Sequence, residues 1–119
     1  MTELILPHLP PIKFAKYIIS KCDDIATVRS EFQTIPSLGM MIEASAQSSA
    51  VFSSENEKGK VGYLTLLKNV KLLNTPTSLL YDISLTLTHK SEGVGYISFK
   101  VQQENTQTIA TGILMVTIV

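Results

Sequence analysis

The run Leu38-Gly-Met-Met-Ile-Glu-Ala-Ser-Ala-Gln-Ser-Ser-Ala-Val-Phe52 carries a single charge, Glu43. Ser37 stands ahead of it as an N-cap whose hydroxyl can accept an orphan backbone N–H. Leu38, Met41, Ile42, Ser45, Ala46, Ser49 and Phe52 fall on one stripe at helical spacing. Glu43, Gln47 and Ala50 lie on another face, and that face is small as well. A helix that is apolar or small nearly all round must be covered on most sides. Its alanines and serines would let a curved sheet close tightly on it. Glu43 has no cation three or four residues away, so the helix offers it no ion-pair partner. A lone carboxylate on such a helix is costly to bury and becomes the first candidate for chemistry.

The rest of the chain reads as the covering sheet. Pro7, Pro10 and Pro11 mark an extended lead-in that cannot be helical. Phe14 to Cys22 is rich in aromatic and β-branched residues and is the first strand. Asp23-Asp24 makes a turn, and Ile25 to Phe32 is either a second short strand or part of a longer connection. After the polar loop 53–59 come Lys60 to Leu73, Leu79 to His89, Val94 to Gln103 and Thr108 to Val119. In Leu79 to His89 the residues Leu79, Tyr81, Ile83, Leu85 and Leu87 alternate with polar ones, the period of a sheet with one buried face. Turn signals at Ser91-Glu92-Gly93 and 104–107 imply antiparallel pairing. The order is strand, helix, then a four-segment meander, an α+β layout in one domain, 1–119.

Composition narrows the function classes. Hydrophobic residues make up 45% of the 119 and charged residues 17%, a greasy balance that suggests apolar surface covered by a second copy. Ten basic and ten acidic residues cancel, with no basic stripe, which argues against nucleic-acid binding. The apolar run Gly112 to Val119 is too short to span a bilayer, and the first residues lack the pattern of a secretion signal. A cytoplasmic location is expected. Cys22 is the only cysteine, so no internal disulfide forms, and its two acidic neighbours disfavour a thiolate. His8 and His89 are far apart and no metal-ligand spacing is present. No metal or cofactor is expected. Met40, Met41 and Met115 read as core filler, and Tyr63, Tyr81 and Tyr96 as strand aromatics.

Ile42-Glu43-Ala44-Ser45-Ala46-Gln47 resembles the Glu-Ala-x-Ala-Gln signature of bacterial 3-hydroxyacyl-acyl carrier protein dehydratases. Leu6-Pro7-His8-Leu9-Pro10-Pro11 looks like the opening of the same family, and Gly59 to Leu64 with Lys68 to Lys71 resembles its strand after the helix. The resemblance implies the hotdog fold, an antiparallel sheet wrapped around one long helix. It implies Glu43 as general acid, Gln47 as its support one turn away, and the helix-start N–H groups of Leu38 and Gly39 polarising a thioester carbonyl. It also implies a homodimer, or a higher assembly of dimers, acting on a thioester of acyl carrier protein or coenzyme A. The family takes its base from a histidine in the connector ahead of the helix, supplied by the other subunit. This chain has Glu31-Phe32-Gln33-Thr34-Ile35-Pro36 there, and the histidine position falls near Arg29, which holds its proton too tightly to be a base. Glu31, Gln33 and His8 are the candidates for a base or a water-holding substitute, while His89 reads as a strand-end residue. Two further readings stand beside a dehydratase: a hotdog thioesterase using Glu43 and water, and a non-catalytic acyl-binding subunit.

Overall fold

The computed structural model describes residues 2–6, 12–53, 62–103 and 107–118. His8, Pro7, Pro10, Pro11 and the segment Gly59 to Val61, all singled out in the sequence, lie outside the described residues. The elements are β1 (Thr2–Glu3), β2 (Ala15–Cys22), β3 (Ile25–Glu31), α1 (Leu38–Ser48), a 3-10 turn (Ser49–Phe52), β4 (Gly62–Leu72), β5 (Leu80–Ser91), β6 (Val94–Gln103) and β7 (Gln107–Ile118). All seven strands belong to one antiparallel sheet in the order β1-β2-β3-β5-β6-β7-β4.

The turns form where the sequence places them. Asp23, at φ 51°, and Asp24 close the β2–β3 hairpin, with Cys22 opposite Ile25. Aspartate tolerates that left-handed conformation better than most residues. Glu92 and Gly93 both have positive φ, 43° and 81°, between the paired residues Ser91 and Val94. Two positive φ angles in a two-residue loop match the twist of the strands they join. Ile25–Glu31, left open between strand and connection, is a strand paired to β5 along its whole length.

The meander differs from the sequence expectation. Only β5, β6 and β7 follow one another across the sheet; β4 lies at the outer edge beside β7. The helix is the reason. It leaves the sheet after β3, crosses the inner face and returns the chain at the opposite edge. The segment 73–79 then runs back along the ends of β7 and β6 to start β5 next to β3. Asn74 Nδ2 donates to Thr108 O at 2.7 Å, and Gln103 Oε1 accepts from Thr77 N at 3.0 Å, which fastens this return.

The sheet closes on α1 as the small-residue pattern suggests. Val28, Tyr81, Ile83, Leu85, Ile97, Phe99, Val101, Ala110 and Leu114 are buried with Met41 and Ala44 in one core. The buried stripe of the helix is Met41, Ala44, Ser45, Gln47 and Ser48, rotated from the stripe the periodicity gives. Ala44 and Ser48 are small enough to sit where the sheet approaches most closely. Ser45 Oγ and Ser48 Oγ each donate to the carbonyl four residues back, at 2.9 and 2.7 Å, so their burial leaves no unmet hydroxyl. The helix stops at Ser48 rather than Phe52, and its last residues tighten into the 3-10 turn.

Candidate functional site

Ser37 caps the helix as expected, its Oγ accepting from Met40 N at 3.2 Å. The backbone N–H groups of Leu38 and Gly39 belong to the first turn and have no intrahelical acceptor. Gly39, Glu43 and Gln47 follow one another at four-residue steps and so share one face of α1. Gly39 is exposed, and a Cβ there would meet only Ser37 Oγ, at 3.9 Å. The face therefore begins with donor N–H groups under open space, continues to a half-buried carboxylate, and ends at a buried amide.

Gln47 is 3% exposed and spends its whole hydrogen-bonding capacity. Its Oε1 accepts from Phe14 N at 2.8 Å and Ala15 N at 3.2 Å. Its Nε2 donates to Ile12 O at 2.8 Å and to Glu43 Oε1 at 3.4 Å. One side chain thus pins the segment before β2 to the helix and holds one carboxylate oxygen of Glu43. The periodicity puts Gln47 on a different face from the main apolar stripe, on a helix expected to be covered on most sides. It is buried because the segment 12–15 covers it, and Phe14 stacks against Phe32 at 4.9 Å beside it.

The other candidates fall elsewhere within this chain. Arg29 lies on the outward face of β3 and forks onto Asp82 of β5, with Nε–Oδ1 at 3.0 Å and Nη2–Oδ2 at 3.4 Å. The Asp82 carboxylate, by hydrogen bond and by charge, raises the Arg29 pKa above its ordinary value. Glu31 shares that outward parity on β3 and is exposed, so the sheet separates it from Glu43. Gln33 is exposed in the connector. His89 is exposed on β5 with its ring 6.0 Å from that of Tyr96, its cross-strand partner. His8 is outside the described residues. Cys22 is exposed at the end of its hairpin. Among the described residues no group of three or more His, Cys, Asp or Glu could hold a metal ion, and no helix is long and apolar enough to cross a membrane.

Tyr81 shows how closely the core next to the site is packed. It is 1% exposed, meets the Phe32 ring edge-on at 5.6 Å, and its Oη accepts from Ser78 N at 3.2 Å. Burial raises its pKa above the usual tyrosine value. Its place in an alternating strand marks it as an ordinary strand aromatic, and nothing in that pattern signals the hydrogen bond back to the return segment.

One sheet wrapped around one helix, with β4 returned to the far edge, has counterparts among solved structures. The dehydratase heterocomplex ApeI:P from Xenorhabdus doucetiae matches with a TM-score of 0.76 at 18% identity, covering 96% of this chain and 88% of that one. The chain has the hotdog fold. A second hotdog match, from Streptococcus mutans and bound to acetyl CoA, has a TM-score of 0.65 at 14% identity, covering 94% of this chain and 96% of that one. A third, a hypothetical thioesterase protein with coenzyme A from Streptococcus pneumoniae, has a TM-score of 0.65 at 10% identity, covering 87% and 84%. No family pattern matches the chain, and no curated protein matches it.

Proposed function

We propose that this hotdog chain binds an acyl thioester, on acyl carrier protein or coenzyme A, and works as the acid-bearing half of a 3-hydroxyacyl-thioester dehydratase. The observation that carries the reading is the Gly39–Glu43–Gln47 face. Open helix-start N–H groups suit a thioester carbonyl, whose enolate-like oxygen gains negative charge as the adjacent carbon loses its proton. Glu43 stands one turn further along, where a protonated carboxyl can donate to the departing hydroxyl. Gln47 donates to one oxygen of Glu43, which restricts how the carboxyl can turn and supports its reading as the acid.

The base must come from elsewhere, and the family resemblance takes it from a second subunit. A second copy brings only His8 and His89. A different hotdog chain bearing a histidine would complete the pair, and the similarity to a dehydratase heterocomplex from Xenorhabdus supports that arrangement. The thioesterase reading is favoured by one observation: among the described residues no histidine of this chain shares the helix side of the sheet with Glu43, and a carboxylate alone can activate water.

The deciding experiment incubates the purified chain with a 3-hydroxyacyl thioester and with a saturated one, following dehydration and free thiol. With a histidine-bearing hotdog chain added, dehydration lost by about a hundredfold in Glu43→Gln, with fold and acyl binding kept, is the expected result. Thiol release with equal loss in Glu43→Gln would replace the dehydratase reading by hydrolysis. Unchanged rates in the variant would remove Glu43 from the chemistry. Turnover that appears only on adding a histidine-bearing hotdog chain identifies the partner as heterologous.

A further inference from the structure

The outward face of the sheet carries a second feature, on the opposite side from Glu43. Ser84 and Thr86 of β5, Ser98 and Lys100 of β6, Thr111 of β7 and Lys71 of β4 line one groove of about 510 Å³ there. Register makes them a contiguous block: Ser84 opposes Lys100, Thr86 opposes Ser98, and Thr111 lies between Lys100 on one side and Lys71 on the other. Two strand spacings, about 9.6 Å, separate the two lysine backbones, so both ammonium groups can reach one ligand above Thr111.

Three observations make this more than a polar sheet face. None of the six side chains has a hydrogen bond or ion pair within the protein among the described residues, so all their donors are available. The edge of the groove is reshaped: β4 bulges between Lys68 and Lys71, with Asn69 held at φ 54° in the left-handed region. Bulges re-aim side chains and gather next to binding sites. The charge is also one-sided. β4, β6 and β7 contain Lys68, Lys71 and Lys100 and no Asp or Glu, while the one acid of β5, Asp82, is taken by Arg29. At this groove the local charge is therefore positive, although the chain as a whole has zero net charge.

We propose that this groove binds a small molecule bearing a diphosphate. The lysines supply charge as compact ammonium groups and the hydroxyls donate to the remaining phosphate oxygens. No carboxylate lines the groove to repel an anion. Its volume lies in the range of small-molecule sites. The inference goes beyond the thioester reading and stands without it, because it uses no residue of the Glu43 face.

The test titrates the full chain with inorganic pyrophosphate, ADP and coenzyme A by calorimetry, and maps pyrophosphate-induced amide shifts by NMR. Saturable binding is expected, with shifts centred on β4 to β7. The double variant Lys71→Gln/Lys100→Gln should weaken it by about a hundredfold, tenfold for each charge-assisted contact. Lys21→Gln, which removes a charge from the β2–β3 hairpin, should leave it unchanged. Tighter binding of coenzyme A than of ADP assigns the groove to the carrier of the thioester; the reverse assigns it to a free nucleotide. Absence of saturation by about 10 mM of all three ligands would overturn the proposal. So would equal weakening in Lys21→Gln, or shifts centred on the helix.

Discussion

At the scale of single residues, Gln47 does two jobs that can be separated. It satisfies three backbone groups of the segment 12–15 and it touches Glu43. Gln47→Ala should therefore cost about 2–4 kcal/mol, because buried N–H and C=O groups of the segment 12–15 lose their partner. Glu43→Gln should cost less than about 1 kcal/mol, since the half-buried position tolerates an amide. Urea unfolding of the two variants checks the contrast; equal losses would mean that Gln47 matters to the fold no more than Glu43 does. That Gln47 stands one turn from Glu43, within reach of its carboxylate, was legible in the sequence from the four-residue spacing. Its anchoring of residues 12–15 was not, because those hydrogen bonds join positions 32 to 35 residues apart. Arg29 makes the same point in reverse. Counting along the chain set it at the histidine position, and strand parity turned it outward onto Asp82.

At the scale of elements, β6 and β7 pack through a missing side chain. A Cβ on Gly112 would lie 2.8 Å from two atoms of the Phe99 ring and 3.0 Å from Val70 Cγ2. Phe99 is itself 3% exposed and cannot swing away freely. Gly112→Ala is expected to cost about 1–3 kcal/mol through overpacking. Adding Phe99→Leu should return part of that loss, whereas a glycine needed for backbone freedom would show no such rescue. Thermal unfolding of the single and double variants decides it. The strands themselves were legible from alternation and turn residues. Their partners were not: β4 reads as the first member of a meander, and its edge position follows from the helix crossing the sheet.

At the scale of the whole molecule, the open edge of β4 gives the greasy composition its outlet. Among the described residues, its eleven residues pair on one side only, with β7. Tyr63, Leu66, Leu67 and Leu72 are all at least 37% exposed along it. A long apolar edge left bare invites pairing with another chain. We propose that the homodimer expected from the sequence pairs along this edge; Leu66→Lys with Leu67→Lys should then weaken it by roughly a hundredfold, about 3 kcal/mol. Sedimentation equilibrium reads this directly. A dimer of unchanged affinity would move the interface away from β4.

The sequence by itself determined the local pieces: a capped small-residue helix with one carboxylate, strands of period two, and hairpin turns at Asp23 and Glu92-Gly93. These depend on neighbours a few residues apart, which composition and spacing record. Tertiary structure alone decided which strand sits at the edge, that Gln47 is buried while Arg29 faces out, and that six polar side chains from four strands share one groove. Those facts arise from strand order and register, which bring together residues far apart in the chain. The burial energy that fixes them is gained only when the sheet closes on the helix.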